Sequence, residues 1–366
     1  MRYELSKLPL QSLLSPLTAA TSALARLDER IGRSPLGAGW SARTHFSEAC
    51  ASLWVDGELI HLEDLVLYDA GMSARAPTHE LTIAHDLLRT RRRILSNPPQ
   101  WALSIEGLRS LRGRGGGDER FDELAFAPTP ESSPEEGEED DDPLAVHLAA
   151  IDAVLARSEL LLAEARTAEP QPRRERDPLV YETDWDEDER LEEWQAVVQE
   201  TEGLPPLLRA ALLLDAWNVL QVFQHAPWLG RQLPAAFLRQ LGATNAHLAT
   251  INLGLKQIAR ERRADRNRDT RLKAFLDAIT LAAELGLKEH DRLLLAKQQM
   301  QHRAAGKRQS SKLPQLIDLV LSTPMVSAGM IAEALRVTPQ GALKIAAELS
   351  LRELTGRGRF RAWGVI

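Results

Sequence analysis

Near the carboxyl end, Gln340 and Lys344 stand four residues apart behind a Thr338-Pro339 pair, and Arg357, Arg359 and Arg361 alternate along a glycine-bearing turn. An amide and an ammonium one helical turn apart suit base edges and phosphates, and arginines at a hairpin tip suit a polyanionic backbone. A second cationic stretch, Lys256–Lys273, holds Arg260, Arg262, Arg263, Arg266, Arg268 and Arg271. Glu261, Asp265 and Asp269 are interleaved with them, so this segment reads either as a solvated face with local ion pairs or as a further DNA-backbone contact. His290-Asp291 and His302 could exchange protons, but no nucleophile accompanies them in the sequence.

The C-terminal groups need a scaffold, and the local pattern supplies one. Leu313, Leu316, Ile317, Val320 and Leu321 recur at helical spacing until Thr323-Pro324 stops them. Ser327 is placed to cap a short helix burying Met330, Ile331, Ala334 and Leu335. After Arg336-Val337, Thr338 caps the next helix and Pro339 takes its first position. Ala342, Ile345, Ala346 and Leu349 line one face of that helix, with Gln340, Gly341, Leu343 and Lys344 near its start. Glu353–Trp363 then reads as two short strands about a glycine-rich turn. Helix, helix, turn, helix and basic hairpin is the layout of a winged helix-turn-helix, which points to duplex DNA as partner, although the same unit also serves as a protein-protein module.

Composition frames the rest of the chain. An apolar share of 44% with 27% charged residues suits a soluble globular protein, and 366 residues allow two or three domains. Aromatic residues are only 5%, and helical periodicity dominates, so the fold class expected is mainly α. One cysteine, Cys50, cannot form an internal disulfide, and no Cys/His cluster has zinc spacing, so a cytoplasmic protein without a metal or other cofactor is expected. Charged residues interrupt the apolar runs of the first thirty positions, which argues against a secretory signal. The most apolar stretch, 204–223, contains Arg209 and Asp215, which points to a buried helix and away from a membrane partner.

The net charge of −7 would disfavour nucleic acid if it were evenly spread. An acidic block lies between Asp118 and Asp142 and a second patch covers Glu182–Glu193. From Lys256 to Lys312 there are 15 Lys/Arg against 7 Asp/Glu. The charge is bipolar, so its mean says little about partners.

Four regions follow. Residues 1–111 read as an N-terminal helical region, with helices over 10–27, 42–60 and 81–95. Residues 112–142 are Gly, Pro, Ser and acidic, and read as a disordered linker. Residues 143–306 read as a helical core, with helices over 144–168, from about Asp186, and over 204–220, 234–241, 245–260, 270–285 and 290–302. Residues 307–366 are the winged helix, entered through a basic hinge at 304–312.

Two further patches carry a resemblance. Ser52, Asp56 and Gly57, followed by Leu62-Glu63-Asp64-Leu65-Val66-Leu67, resemble the N-terminal helix of Fic/Doc-type proteins, with Asp in place of the usual Glu. In that family the helix's acid pairs with an active-site arginine and blocks productive nucleotide binding. On the residues alone, Gly57 is simply the glycine that ends a helix. His225-Ala226-Pro227-Trp228-Leu229-Gly230-Arg231 resembles the Fic motif His-Pro-Phe-x-Asp/Glu-Gly-Asn-Gly-Arg-x-x-Arg. In the motif the histidine is general base, the acid holds magnesium, and the glycine turn and arginines bind phosphates. This chain departs from it: His225 to Arg231 is two residues shorter, no carboxylate lies between, one glycine remains, and Pro234 replaces the second arginine.

The two patches, together with the Arg260-Glu261-Arg262-Arg263 run, the Glu289–Leu293 pentad and the ending Thr355–Gly364, resemble a bacterial family that is often plasmid-borne. That family joins a helical domain of unknown function, Fic-like in outline, to a C-terminal helix-turn-helix. The resemblance implies a Fic-like helical core beside a DNA-binding domain; the departures from the motif make that core catalytically degenerate, and the reading that follows is a transcriptional regulator acting as a homo-oligomer, expected to be a dimer. The other reading it allows is an active AMP or phosphoryl transferase, with His225 as base, Arg231 on phosphate and Gly230 in the turn.

Overall fold

The computed structural model describes residues 3–5, 8–73, 76–112, 185–305, 312–354 and 361–365. The expected linker at 112–142 (beyond Arg112 itself), the helix at 144–168 and the hinge at 306–311 lie outside them. Among the described residues the chain is mainly helical, with one small antiparallel sheet near the C-terminus.

Helix α1 (Leu10–Arg33) buries Leu13, Ala20, Ala23, Leu24, Leu27 and Ile31 at three- and four-residue spacing. Helix α2 (Gly37–Asp56) is buried almost all round and ends at Gly57, whose φ of 93° only glycine adopts without strain. The Glu58 N–H reaches back to the Leu53 carbonyl at 2.9 Å, closing a Schellman-type end. Helices α3 (Leu62–Asp69), α4 (His79–Ser96, capped by Thr78) and α5 (Ile105–Leu111, capped by Ser104) complete this half.

The second half begins with α6 (Glu187–Glu200), whose Asp186 cap accepts from the Asp188 and Glu189 N–H groups. Helices α7 (Pro206–Leu220) and α8 (Leu229–Gln240) follow, both buried on nearly every side. Two short pieces, α9 (Ile251–Leu255) and α10 (Arg260–Arg263), lead into α11 (Arg268–Ala304). At 37 residues α11 is about 55 Å long and runs along the molecule. Leu13, Ala20 and Leu24 of α1 pack with Leu208 and Leu212 of α7 and with Leu272, Phe275 and Leu276 of α11. The stretches 10–111 and 187–305, separate regions in the sequence, therefore share one core.

Two departures from the expected helices have a tertiary cause. The break expected near 286–289 is absent: Gly286 sits mid-helix against Leu27 and Trp40, its missing side chain used for close packing. The helix expected over 245–260 shrinks to α9. Here carboxylates from other helices take the amides that intrahelical carbonyls would have used. Asp28 accepts from the Asn245 and Ala246 N–H groups, both at 2.9 Å, and Glu48 accepts from Asn252 and Leu253 at 2.8 and 3.0 Å.

The C-terminal domain follows the expected order: α12 (Leu313–Ser322), α13 (Ala328–Leu335), α14 (Pro339–Glu348) and strands β2 (Arg352–Glu353) and β3 (Ala362–Gly364). The sequence pattern omitted a third strand, β1 (Val326–Ser327), which pairs antiparallel with β3 and gives the sheet order β1-β3-β2. Two residues with no alternation to read are too short to announce a strand.

Candidate nucleic-acid interface

Helix α14 is positioned from both ends. At its start the Thr338 hydroxyl accepts from the Gly341 N–H at 3.2 Å, and Pro339 occupies the first turn. The turn before it bends through Arg336, in the left-handed region at φ 51°, and the Val337 N–H returns to the Ala332 carbonyl at 2.9 Å. Ala342 and Ala346 are buried against Leu316, Ile331, Leu335 and Trp363, so one side of α14 is closed. Gln340, Lys344 and Ala347 lie on its exposed side.

Arg336 at the turn and Arg352 on β2 are also exposed. Neither was singled out from the sequence, because isolated arginines carry no pattern. Arg361 begins the return strand: its Nε and Nη2 donate to Glu353 Oε2 at 2.9 and 2.7 Å, and its guanidinium lies over Trp363. The pair is half exposed, so salt and water weaken it. Arg357 and Arg359 lie outside the described residues.

The basic segment 256–273 is arranged differently. Arg271 grips the fully buried Asp215 through Nε and Nη2 at 2.6 and 3.2 Å, and its Nη1 reaches the Asp265 and Arg266 carbonyls. Arg268 donates to the Glu4 carbonyl at 2.6 Å and covers Tyr3, whose hydroxyl donates to Asp215 at 2.7 Å. Burial beside that carboxylate holds the Tyr3 phenol well above its usual value. Arg262 pairs with Asp277, and Arg263 lies over Trp54. Three of the six arginines are thus held within the protein, Arg262 is paired only on the surface, and Arg260 and Arg266 stay exposed.

Arg231 on α8 is brought to the end of α2. Its Nη2 donates to the Ser52 hydroxyl at 2.8 Å and pairs closely with Asp56. Asp56, although one methylene shorter than Glu, reaches its arginine. Gly230 has a packing reason of its own: a Cβ there would lie 2.0 Å from the Trp217 indole. His225 stands in the loop between α7 and α8, with Nδ1 2.9 Å from Glu187 and its ring stacked on Phe223. Glu187 also accepts from Arg112 at 3.1 Å. His290 is buried, with Nε2 2.8 Å from the Ser34 hydroxyl.

Apart from Ser52, no signal in the sequence marks the buried polar stripe along α2. Ser41, His45, Glu48 and Ser52 follow one another at helical spacing, each buried. Arg91 of α4 is fully buried beside them, donating to His45 Nδ1 at 3.2 Å, to Gln232 Oε1 at 2.8 Å and to the Leu248 carbonyl at 3.2 Å. Burial, with Arg91 and Arg92 nearby, holds the His45 imidazole well below its usual range. Burial raises the Glu48 carboxyl, while Arg91 and the Asn252 and Leu253 amides oppose it. Among the described residues no group of side chains is arranged to hold a metal ion, and no helix is long and apolar enough to cross a membrane.

Two family models match the chain. Residues 179–305 match that of a protein of unknown function, DUF1612, and residues 313–366 match that of a helix-turn-helix DNA-binding domain. A protein of Sinorhizobium fredii described as uncharacterized protein y4cF is 53% identical over 384 aligned positions that span all of both chains. The chain therefore belongs to the family of the Sinorhizobium y4cF protein, and in it a DUF1612 region precedes a C-terminal helix-turn-helix DNA-binding domain.

Proposed function

We propose that the protein is a DNA-binding transcriptional regulator, acting in the cytoplasm as a homodimer, with α14 as its recognition helix. The observation that carries this reading is the exposed side of α14. Gln340 and Lys344 project one turn apart behind a capped N-terminus, and Arg336 and Arg352 are exposed before and after that helix. Thr338 meets phosphate at the helix start, Gln340 and Lys344 meet base edges and phosphates, and Arg357, Arg359 and Arg361 grip the backbone from the wing.

The test is a titration of the full-length chain with random duplex at several salt concentrations. Replacing Arg357, Arg359 and Arg361 together by Ala should weaken binding to every sequence. It should also lower the slope of log affinity against log salt by roughly 0.9 for each phosphate no longer neutralised. Equal affinity and equal slope in wild type and triple variant would end the wing assignment.

The same reading takes the helical body as Fic-like in outline and catalytically degenerate, serving dimerisation or ligand sensing. The grip of Ser52 and Asp56 on Arg231 supports the likeness, and the missing acid between His225 and Arg231 supports the degeneracy. One observation favours an active transferase instead: His225 is partly exposed and its ring is oriented by the buried Glu187 carboxylate, as a general base would be. Incubation with labelled nucleotide and magnesium separates the two. Label transfer that disappears in His225→Ala would establish the enzyme.

A further inference from the structure

Arg43 lies near the middle of the first half of α2, and its guanidinium is almost completely buried. It spends its donors on the C-terminal domain. Nη1 donates to the Thr323 carbonyl at 2.9 Å and reaches the Val320 carbonyl at 3.5 Å, both at the C-terminal end of α12. Nη2 donates to the Val365 carbonyl at 2.7 Å, just beyond β3. Nε donates to Glu289 of α11 at 3.0 Å, and Glu289 is held in turn by Arg292. One side chain of the body thus joins the first helix and the last strand of the C-terminal domain, and α11 braces it from behind.

The acceptors are the ones a docking cation would select. The last carbonyls of a helix have no intrahelical donor and carry the negative end of its dipole. Two weaker bonds lie on either side. Arg303 at the end of α11 donates to the Leu349 carbonyl at 2.9 Å, and Met72 after α3 takes the Ser327 hydroxyl at 3.3 Å. All these bonds fall on α12, the sheet end, the start of α13 and the last carbonyls of α14. The side of α14 that carries Gln340 and Lys344 is left open.

We infer that Arg43 is a positioning residue for DNA binding: within an apolar seam that Leu27, Trp40 and Leu293 of the body share with Leu316, Ile331 and Trp363, it is the polar latch that fixes the angle of the helix-turn-helix domain and so sets the direction in which α14 is presented. The inference rests on the DNA-binding reading for its consequence, but the latch itself is a statement about geometry. In a symmetric dimer the spacing of the two recognition helices would follow from this angle. Binding of one domain to random duplex would not.

The experiment places spin labels at Ala25→Cys on α1 and Ala347→Cys on α14, in a Cys50→Ser background, and measures the distance distribution between them in the full chain. With Arg43 present the distribution should be single and narrow. In Arg43→Ala it should broaden by severalfold, with unchanged helical content by circular dichroism. Arg43→Gln, whose amide ends about where the arginine Nε stands and so cannot reach the Thr323 and Val365 carbonyls, serves if the alanine variant fails to fold, and should broaden it as well. Affinity for random duplex should change by less than about threefold, since the DNA-facing side chains are untouched. A merely stabilising role would lower the melting temperature and leave the distribution narrow. A narrow, unshifted distribution in Arg43→Gln would overturn the latch. Failure of the wild-type chain to bind any duplex would instead sink the proposed function, whatever the distances show.

Discussion

The segment 256–273 and the C-terminal domain both attract attention as cationic, yet the structure uses their charges in opposite ways. In the first, Arg268 and Arg271 close over the buried Asp215 and Arg263 lies against Trp54, with Arg262 paired only on the surface. In the second, Arg336, Lys344 and Arg352 stand on exposed surface, and the one wing arginine described is paired only at the rim. The denser cluster is therefore the less available one. Density of positive charge along a chain measures what could bind an anion; the carboxylates and carbonyls that fold back onto it decide what is left over.

Experiments on each region test this difference. The largest effect is expected from Asp215→Ala, which strips Arg268, Arg271 and Tyr3 of their common partner. Losing one side of a buried ion pair costs about 3–5 kcal/mol, so the urea midpoint should fall sharply, and a small change would mean that these arginines were never committed inward. Next comes pH. An unfolded histidine titrates near 6.5, whereas burial lowers His247 in the folded chain and holds His45 well below that value. The unfolded state then binds the extra protons, so stability is full above about pH 6.5 and declines below it, by about 1.4 kcal/mol per unit for His45. His45→Gln keeps an acceptor for Arg91 and should remove one such share of the slope; an unaltered slope would show that His45 does not titrate on unfolding.

Smaller effects test the C-terminal side. Thr338→Ala removes a local cap and should cost about 1 kcal/mol in thermal unfolding, weakening duplex binding along with it. If the cap is removed without consequence, α14 is held by its buried alanines alone. The smallest change belongs to the exposed members of the basic segment. Arg260→Ala with Arg266→Ala should shift stability by less than about 0.5 kcal/mol and leave the salt slope of DNA binding as it was. A slope that drops would return this segment to the DNA interface.

The comparison also shows which parts of the molecule could be read in advance. The C-terminal domain was legible because its signals are local: Ser327 and Thr338 as caps, Pro339 in the first turn, and apolar residues at helical spacing between them. The pairing of Asp56 with Arg231 was suggested only by a resemblance, since the two residues are far apart in the chain and neither marks the other. Arg43 and Arg91 gave no sign at all. Each is an arginine within a helix, indistinguishable by pattern from a solvated one, and each became buried because its acceptors arrived from remote elements. Even the missing break in α11 and the shortened α9 have this origin, with Leu27, Trp40, Asp28 and Glu48 overriding local preference.

Sequence alone determined the mainly helical class, the helix-turn-helix and its caps, because hydrophobic period and capping act between residues a few positions apart. Which cations face solvent, which acids hold which arginines, and how the DNA-binding domain is seated on the body follow from long-range packing. A guanidinium has no preferred surroundings until the fold brings carbonyls and carboxylates within hydrogen-bond reach, and those partners lie tens to hundreds of residues away.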